Sequence, residues 1–252
     1  NTPEQRQDRL LWVCRFGAEE LRLTLAWGLF MPVQPMKSMV KKLVSLSLNE
    51  DAPQGDITSQ AIFGHTAHRV TAKIIAKETF VVSGFVAVKE VLKNFASLRL
   101  KINRNDGKHV KNGTVLAEMK GPVTDLLLVE RTILNFLQRL SGIATLTQRF
   151  VHLVHGACPE RSRRVHPVHL AILDTRKTTP GLRALEKKAV RDGGGCNHRM
   201  NLSDQYLIKD NHIVAAGSVT EAIIKVRAHQ LHQKKKVRIE VEVRNQNEFL
   251  EA

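Results

Sequence analysis

The alternation of apolar and polar positions divides the chain into two kinds of element. Residues 38–50 carry Met39, Val40, Leu43, Leu46 and Leu48 among polar neighbours, a spacing that predicts an amphipathic helix broken by Glu50-Asp51-Ala52-Pro53. Residues 70–76, 81–82 and 98–102 read as strands, with a helix over 85–95 between them. Asp106-Gly107 and Asn112-Gly113 are turn signals on either side of His109-Val110, and Val115-Leu116-Ala117 resumes a strand. Over 123–140 the period becomes helical, with Val129, Ile133, Leu134, Leu137 and Leu140 on one side and Arg131, Asn135 and Gln138 near the other. Further on, Ala171-Ile172-Leu173 and Tyr206-Leu207-Ile208 are short apolar runs ending at Asp174 and Lys209, which predicts buried strands that release polar residues at their carboxyl ends. Between them Pro180 takes a first helical position, and Leu182, Leu185 and Ala189 recur at helical spacing until Asp192-Gly193-Gly194-Gly195 ends the helix. Ser218-Val219-Thr220-Glu221 matches a capping box. Finally Val237, Ile239, Val241 and Val243 alternate with Arg238, Glu240, Glu242 and Arg244, a strand that puts two glutamates on one face.

This pattern makes the chain an α/β protein, and it concentrates chemistry between residues 172 and 212. Arg176, Lys177, His198, Arg199, Lys209 and His212 stand there among short apolar runs and glycines, more cationic and hydrogen-bonding groups than a core needs. An anionic ligand is the natural partner. In a closed parallel barrel, Glu240 and Glu242 would face the same cavity as those cations.

Composition changes the picture only in part. A chain of 252 residues that is 42% hydrophobic supports one large core or two modest ones. A net charge of +15 suits a nucleic-acid binder, but the charge is spread along the chain and aromatic residues are only 5%, so stacking platforms are scarce. The basic stretch 155–169, with Arg161, Arg163 and Arg164, reads as a solvated surface insertion, and Lys234-Lys235-Lys236 as part of a loop. Cys14, Cys158 and Cys196 form no Cys-x-x-Cys pair, which predicts a reducing compartment and no disulfide scaffold. No run is as long as a membrane span, and residues 1–18 lack the basic-then-apolar order of a secretory signal. A cytoplasmic enzyme with no nucleic-acid or membrane partner is the expectation.

Several motifs are excluded. Gly193-Gly194-Gly195 lacks the spacing of a dinucleotide loop, and no P-loop occurs. No His-Glu-x-x-His is present, and Cys196 with His198 lacks a second metal-binding pair, so a zinc hydrolase is not expected. Met119-Lys120, a pair that in a tight turn can carry a swinging-arm cofactor, lacks a symmetric β unit around it, and Lys120 reads as a surface lysine.

Six motifs together resemble one family. They are Glu130-Arg131-Thr132-Ile133-Leu134-Asn135, Leu140-Ser141-Gly142-Ile143-Ala144-Thr145, the run from Leu173-Asp174-Thr175-Arg176-Lys177 through Thr178-Thr179-Pro180-Gly181-Leu182-Arg183, Asn197-His198-Arg199, Ile208-Lys209-Asp210-Asn211-His212 and Glu240-Val241-Glu242-Val243. With Glu50-Asp51 and Gly55-Asp56-Ile57-Thr58 they are similar to quinolinate phosphoribosyltransferases from about residue 38 onward. The resemblance implies an N-terminal extension of unknown role over 1–37, an α/β sandwich domain over 38–133 and an α/β barrel over 134–252. Because the family continues past the Glu242 strand, the barrel is expected to look incomplete here. It further implies transfer of the phosphoribosyl group of phosphoribosyl pyrophosphate to quinolinate, with magnesium and loss of carbon dioxide, in a homodimer or higher oligomer with shared active sites. Arg131 would reach the neighbouring subunit's site; Arg176, His198 and Arg199 would line the quinolinate pocket, and Thr175 would bind substrate; Lys177, Lys209 and Glu242 would be catalytic, the lysines meeting quinolinate or the donor and Glu242 facing ribose and magnesium. Two alternatives stay open: a base phosphoribosyltransferase that does not decarboxylate, which needs fewer acceptor cations, and a nucleic-acid binder that uses the +15 charge.

Overall fold

The computed structural model describes residues 11–14, 23–25, 37–64, 68–156, 170–233 and 237–252. The loop at 234–236 and nearly all of the basic stretch 155–169 lie outside the described residues. Two compact units result, one of Asn1–Met31, Leu153–Arg176 and His198–Ala252, the other of Pro32–His152 and Lys177–Asn197. In the first unit the chain opens with strands β1 (Leu11–Cys14) and β2 (Leu23–Leu25).

The second unit carries α1 (Lys37–Asp51), α2 (Ile57–Phe63), β3 (Arg69–Ile75), β4 (Phe80–Val81), α3 (Phe85–Leu92), β5 (Arg99–Ile102), β6 (His109–Val110), β7 (Val115–Pro122), most of α4 (Val123–Gly156) and α5 (Arg183–Asp192). β3, β7 and β5 form an antiparallel sheet in that order, and β4 pairs with β6. The helical period read over 123–140 is borne out: Val129, Ile133, Leu137 and Leu140 are buried, while Arg131, Asn135 and Gln138 are exposed. Each of those buried side chains stabilises the unit by roughly 1.5–3 kcal/mol. Lys120 is exposed, as expected, but stands mid-strand between Thr71 and Arg99 rather than in a turn.

The start of α5 differs from the expectation. The helix begins at Arg183, three residues after Pro180, because Gly181 adopts φ +81°, a left-handed conformation that interrupts a helix. Residues before it form a turn in which Leu182 N–H donates to Thr179 O at 3.0 Å. The helix end is as read, with Gly193 as the C-cap. Gly193 also meets a packing demand, since a Cβ there would lie 2.2 Å from Ala144 O in α4. One of the three consecutive glycines therefore serves helix packing.

The first unit resumes with β8 (Leu170–Ile172), β9 (Tyr206–Ile208), α6 (Asp210–Ala216), α7 (Val219–His232), β10 (Ile239–Val243) and α8 (Gln246–Glu251). β10 is central in a parallel sheet of order β1-β10-β9, and β2 pairs antiparallel with β8. Among the described residues no sheet closes on itself. The core gathers Ile208, Ile213, Val219, Ala222, Ile223, Val241 and Val243. Ser218 caps α7 as its sequence predicts, its hydroxyl accepting Glu221 N–H at 3.1 Å.

Candidate active site

β10 is the rigid element on which the site is built. Val241 and Val243 are fully buried, and strand alternation turns Glu240 and Glu242 to the opposite face. Two residues along a strand separate the glutamates by about 6.6 Å of rise. Each meets a different cation-bearing segment.

Glu240 is only 5% exposed. Its Oε2 lies 2.7 Å from His198 Nε2 and 3.0 Å from Gln205 Nε2. Those two nitrogens are themselves 3.0 Å apart. An amide nitrogen only donates, so the consistent assignment has His198 Nε2–H and the Gln205 amide both donating to the one glutamate oxygen. The backbone of His198 is braced too, its N–H donating to Asp174 Oδ1 at 2.9 Å. Asp174 follows β8, so the end of that strand positions the loop that bears the histidine.

Arg199 is buried, and its one hydrogen bond among the described residues is long, from Nη1 to Gln205 O at 3.4 Å. Its Nε has no hydrogen-bond partner among the described residues. Burial draws its pKa below the ordinary arginine value and the charge of Arg176 draws it further, while Glu240 and Asp204 oppose the fall. A guanidinium stays protonated regardless, so Arg199 is a buried cation whose charge Glu240 and Asp204 compensate in part. Nearby, Asp204 Oδ2 accepts the N–H groups of Met200 and Asn201, at 2.5 and 3.1 Å, and so shapes the turn after Arg199.

Glu242 is half-buried, with Lys209 Nζ 3.3 Å from its Oε2. Lys209 stands at the carboxyl end of β9. Thr175 and Arg176, just past β8, are both half-buried. The structure thus gathers His198 and Arg199 about Glu240, with Arg176 close enough to oppose Arg199 electrostatically, and sets Lys209 on Glu242. His212 plays a different part from the ligand-facing one its position suggests. Its Nδ1 accepts Lys209 N–H at 2.9 Å, so it caps the start of α6.

Lys177 and Arg131 belong to the second unit. Lys177 is exposed, and the loop after it is pinned by buried Glu186, which accepts Thr179 N–H at 3.1 Å and Arg139 Nε at 3.0 Å. Arg131 is exposed on well-anchored α4. Asp174, Gln205, Asp204, Glu186 and the buried role of Glu240 were not read from the sequence. Only Glu240 left a signal, two positions before Glu242 on an alternating strand.

Among the described residues no group of three or more His, Cys, Asp or Glu side chains is arranged to hold a metal ion. No described helix is long and apolar enough to cross a membrane. The arrangement defines a class: an α/β protein with cationic side chains gathered about two glutamates of one parallel strand.

Comparison with known proteins narrows the class. Residues 56–141 match the N-terminal domain, and residues 143–252 the C-terminal domain, of quinolinate phosphoribosyl transferase. The chain is 43% identical over 217 residues to a probable nicotinate-nucleotide pyrophosphorylase (carboxylating) of Bacillus subtilis, covering 84% of this chain and 68% of that protein. It is 38% identical over 226 residues to a quinolinate phosphoribosyltransferase (decarboxylating) of Nicotiana glauca, covering 88% of this chain and 59% of that one. A solved nicotinate-nucleotide pyrophosphorylase from Francisella tularensis superposes with a TM-score of 0.74 at 38% identity, over 88% of this chain and 74% of that one. The NadC structure from Streptococcus pyogenes gives 0.72 at 36% identity, over 84% and 72%. The chain belongs to the quinolinate phosphoribosyltransferase family, a family of phosphoribosyl-transferring enzymes.

Proposed function

We propose that the protein transfers the phosphoribosyl group of phosphoribosyl pyrophosphate to quinolinate and releases pyrophosphate and carbon dioxide, giving nicotinate mononucleotide for NAD biosynthesis. The observation that carries this reading is the pair of poles on β10: His198 on Glu240 beside a buried, under-compensated Arg199, and Lys209 on Glu242. Quinolinate bears two adjacent carboxylates, and a planar guanidinium matches a planar carboxylate with two parallel hydrogen bonds. Arg176, Arg199 and His198 form the acceptor pole, with Thr175 beside them. Lys177 and Lys209 each meet quinolinate or the phosphoribosyl donor.

As pyrophosphate departs, positive charge grows on the ribose carbon, and the Glu242 carboxylate stabilises it while the quinolinate nitrogen closes in from the other side. No covalent nucleophile is needed. Loss of carbon dioxide then leaves an electron pair beside the cationic ring nitrogen, which holds it until a proton arrives. The residues present fit magnesium only as an ion held chiefly by the donor's own oxygens, with Glu242 as a neighbouring carboxylate. Such an ion supplies charge neutralisation of the leaving pyrophosphate. The sandwich and barrel architecture, the cytoplasmic location and a homodimer in which Arg131 completes the partner's site are parts of the same proposal. Exposed Arg131 on a packed helix is suitably rigid for that task.

The test is to incubate the purified protein with quinolinate, phosphoribosyl pyrophosphate and magnesium and to follow nicotinate mononucleotide. Product formed with an equal release of carbon dioxide supports the reading. Turnover of nicotinate in place of quinolinate, without carbon dioxide, favours the non-decarboxylating alternative. Salt-sensitive nucleic-acid binding with no turnover of either defeats both.

A further inference from the structure

Glu240 is the most buried acidic group of the first unit among the described residues, yet the proposed chemistry gives it no part. A carboxylate taken out of water is costly unless it is paired and hydrogen-bonded, and apolar residues of similar size would serve packing equally well. What Glu240 does have is two donors on one oxygen, from the His198 ring and the Gln205 amide. Gln205 in turn offers its backbone oxygen to Arg199 Nη1 at 3.4 Å. Through one residue pair, then, Glu240 reaches both His198 and Arg199. Asp174 fixes the backbone of His198 from another side, and the bond to Glu240 restrains rotation of its ring.

We infer that Glu240 is a positioning residue for the acceptor pole: it locks the His198 ring with Nε2–H turned to the strand and Nδ1 turned away, and through Gln205 it steadies Arg199. The two glutamates of β10 thereby divide the work, Glu240 serving acceptor recognition and Glu242 the transfer step. This inference rests on the acceptor reading of His198 and Arg199 given above, and its first test does not depend on that reading.

That test observes the His198 ring directly, by long-range nitrogen–proton NMR correlation of the full chain labelled at histidine, with His198→Gln to assign the signal. In the wild type the ring is expected to show a single Nε2-protonated state. Glu240→Leu should release it into exchange between tautomers, and Glu240→Gln, whose amide oxygen still accepts from Nε2, should restore the single state. A ring signal identical in wild type and Glu240→Leu overturns the inference, whatever the enzyme turns over. The second test is kinetic. Glu240→Leu should raise the KM for quinolinate about tenfold while the KM for phosphoribosyl pyrophosphate and kcat each change less than about threefold, and Glu240→Gln should return the quinolinate KM to near wild type. Equal losses for both substrates in Glu240→Leu, or an unchanged quinolinate KM there, overturn it. A wild type that makes no nicotinate mononucleotide but shows the locked ring, released in Glu240→Leu, counts against the proposed function alone.

Discussion

Two ionic clusters, one in each unit, use similar residues to opposite ends. In the second unit Lys188 Nζ lies 2.8 Å from Asp106 Oδ2 and 2.7 and 2.9 Å from the two oxygens of Asp192. Ser83 Oγ donates to Asp192 at 2.6 Å, and Phe85 N–H to Asp106 at 3.1 Å. All three of these charged groups are satisfied within the cluster. In the first unit the carboxylates are committed elsewhere: Asp174 to His198 N–H, Asp204 to backbone, Glu240 to His198 and Gln205, Glu242 to Lys209. Among the described residues Arg199 has one long hydrogen bond, and its Nε has no partner. The contrast is that the first cluster closes on itself, whereas the second leaves a buried guanidinium incompletely hydrogen-bonded among the described residues.

The strongest way to break this comparison is to open the closed network. Lys188→Met leaves two partly buried aspartates facing one another and should destabilise the protein by about 3–5 kcal/mol, read from urea unfolding. Adding Asp106→Asn and Asp192→Asn should recover most of that loss. A single variant as stable as wild type makes the cluster incidental.

Arg199→Ala should do the reverse. Quinolinate affinity should fall by roughly 2–5 kcal/mol in a calorimetric titration. Stability should stay within about 0.5 kcal/mol, because the guanidinium removed was poorly compensated. A large stability loss with intact quinolinate binding would reassign Arg199 to the structural class.

Glu242→Gln sharpens the division along β10. It should lower kcat roughly 10²- to 10³-fold, the scale of losing one transition-state charge contact, and leave quinolinate binding close to wild type. If Glu240→Gln proves the variant with the severe kcat defect, the roles on the strand are exchanged.

The smallest effect lies outside both clusters. Hydrogen bonds from the Ser59 hydroxyl and from the Ser59 and Thr58 N–H groups hold the Asp56 carboxyl below the usual carboxylate range as it caps α2. A pKa depressed in the folded state contributes stability that is fully present above the unfolded value, about 3.9, and is lost as pH falls through the folded one. Melting temperatures of wild type and Asp56→Asn should therefore converge as the pH drops below about 4. Curves that stay parallel would show that the cap does not depend on the charge.

The elements lay largely open in the sequence because each is a local, periodic feature. The extent of α1, the core side of α4 and the Ser218 cap were read at or near their observed places, since helical period and cap chemistry depend only on near neighbours; the stripe of α1 was not, for its buried residues are Val40 and Val44 while Met39 and Leu46 are exposed. The start of α5 was misread at Pro180, where a positive φ at Gly181, itself a local feature, outweighed proline's preference. The candidate residues were legible as an unusual density of cations between 172 and 212 and as paired glutamates on one strand. Their separate roles were not. Glu240 and Glu242 are equivalent by alternation, and nothing within a few residues of either says which one meets a histidine 42 positions upstream. Likewise Asp174 and Gln205 acquire their tasks only when β8, the loop after Asn197 and β10 come together. By itself the sequence determined the α/β elements, the family and the set of residues available for an anionic ligand. Tertiary structure alone decided which charges are compensated and which are left waiting, because electrostatic satisfaction depends on distance and burial in space, and these contacts join residues far apart along the chain.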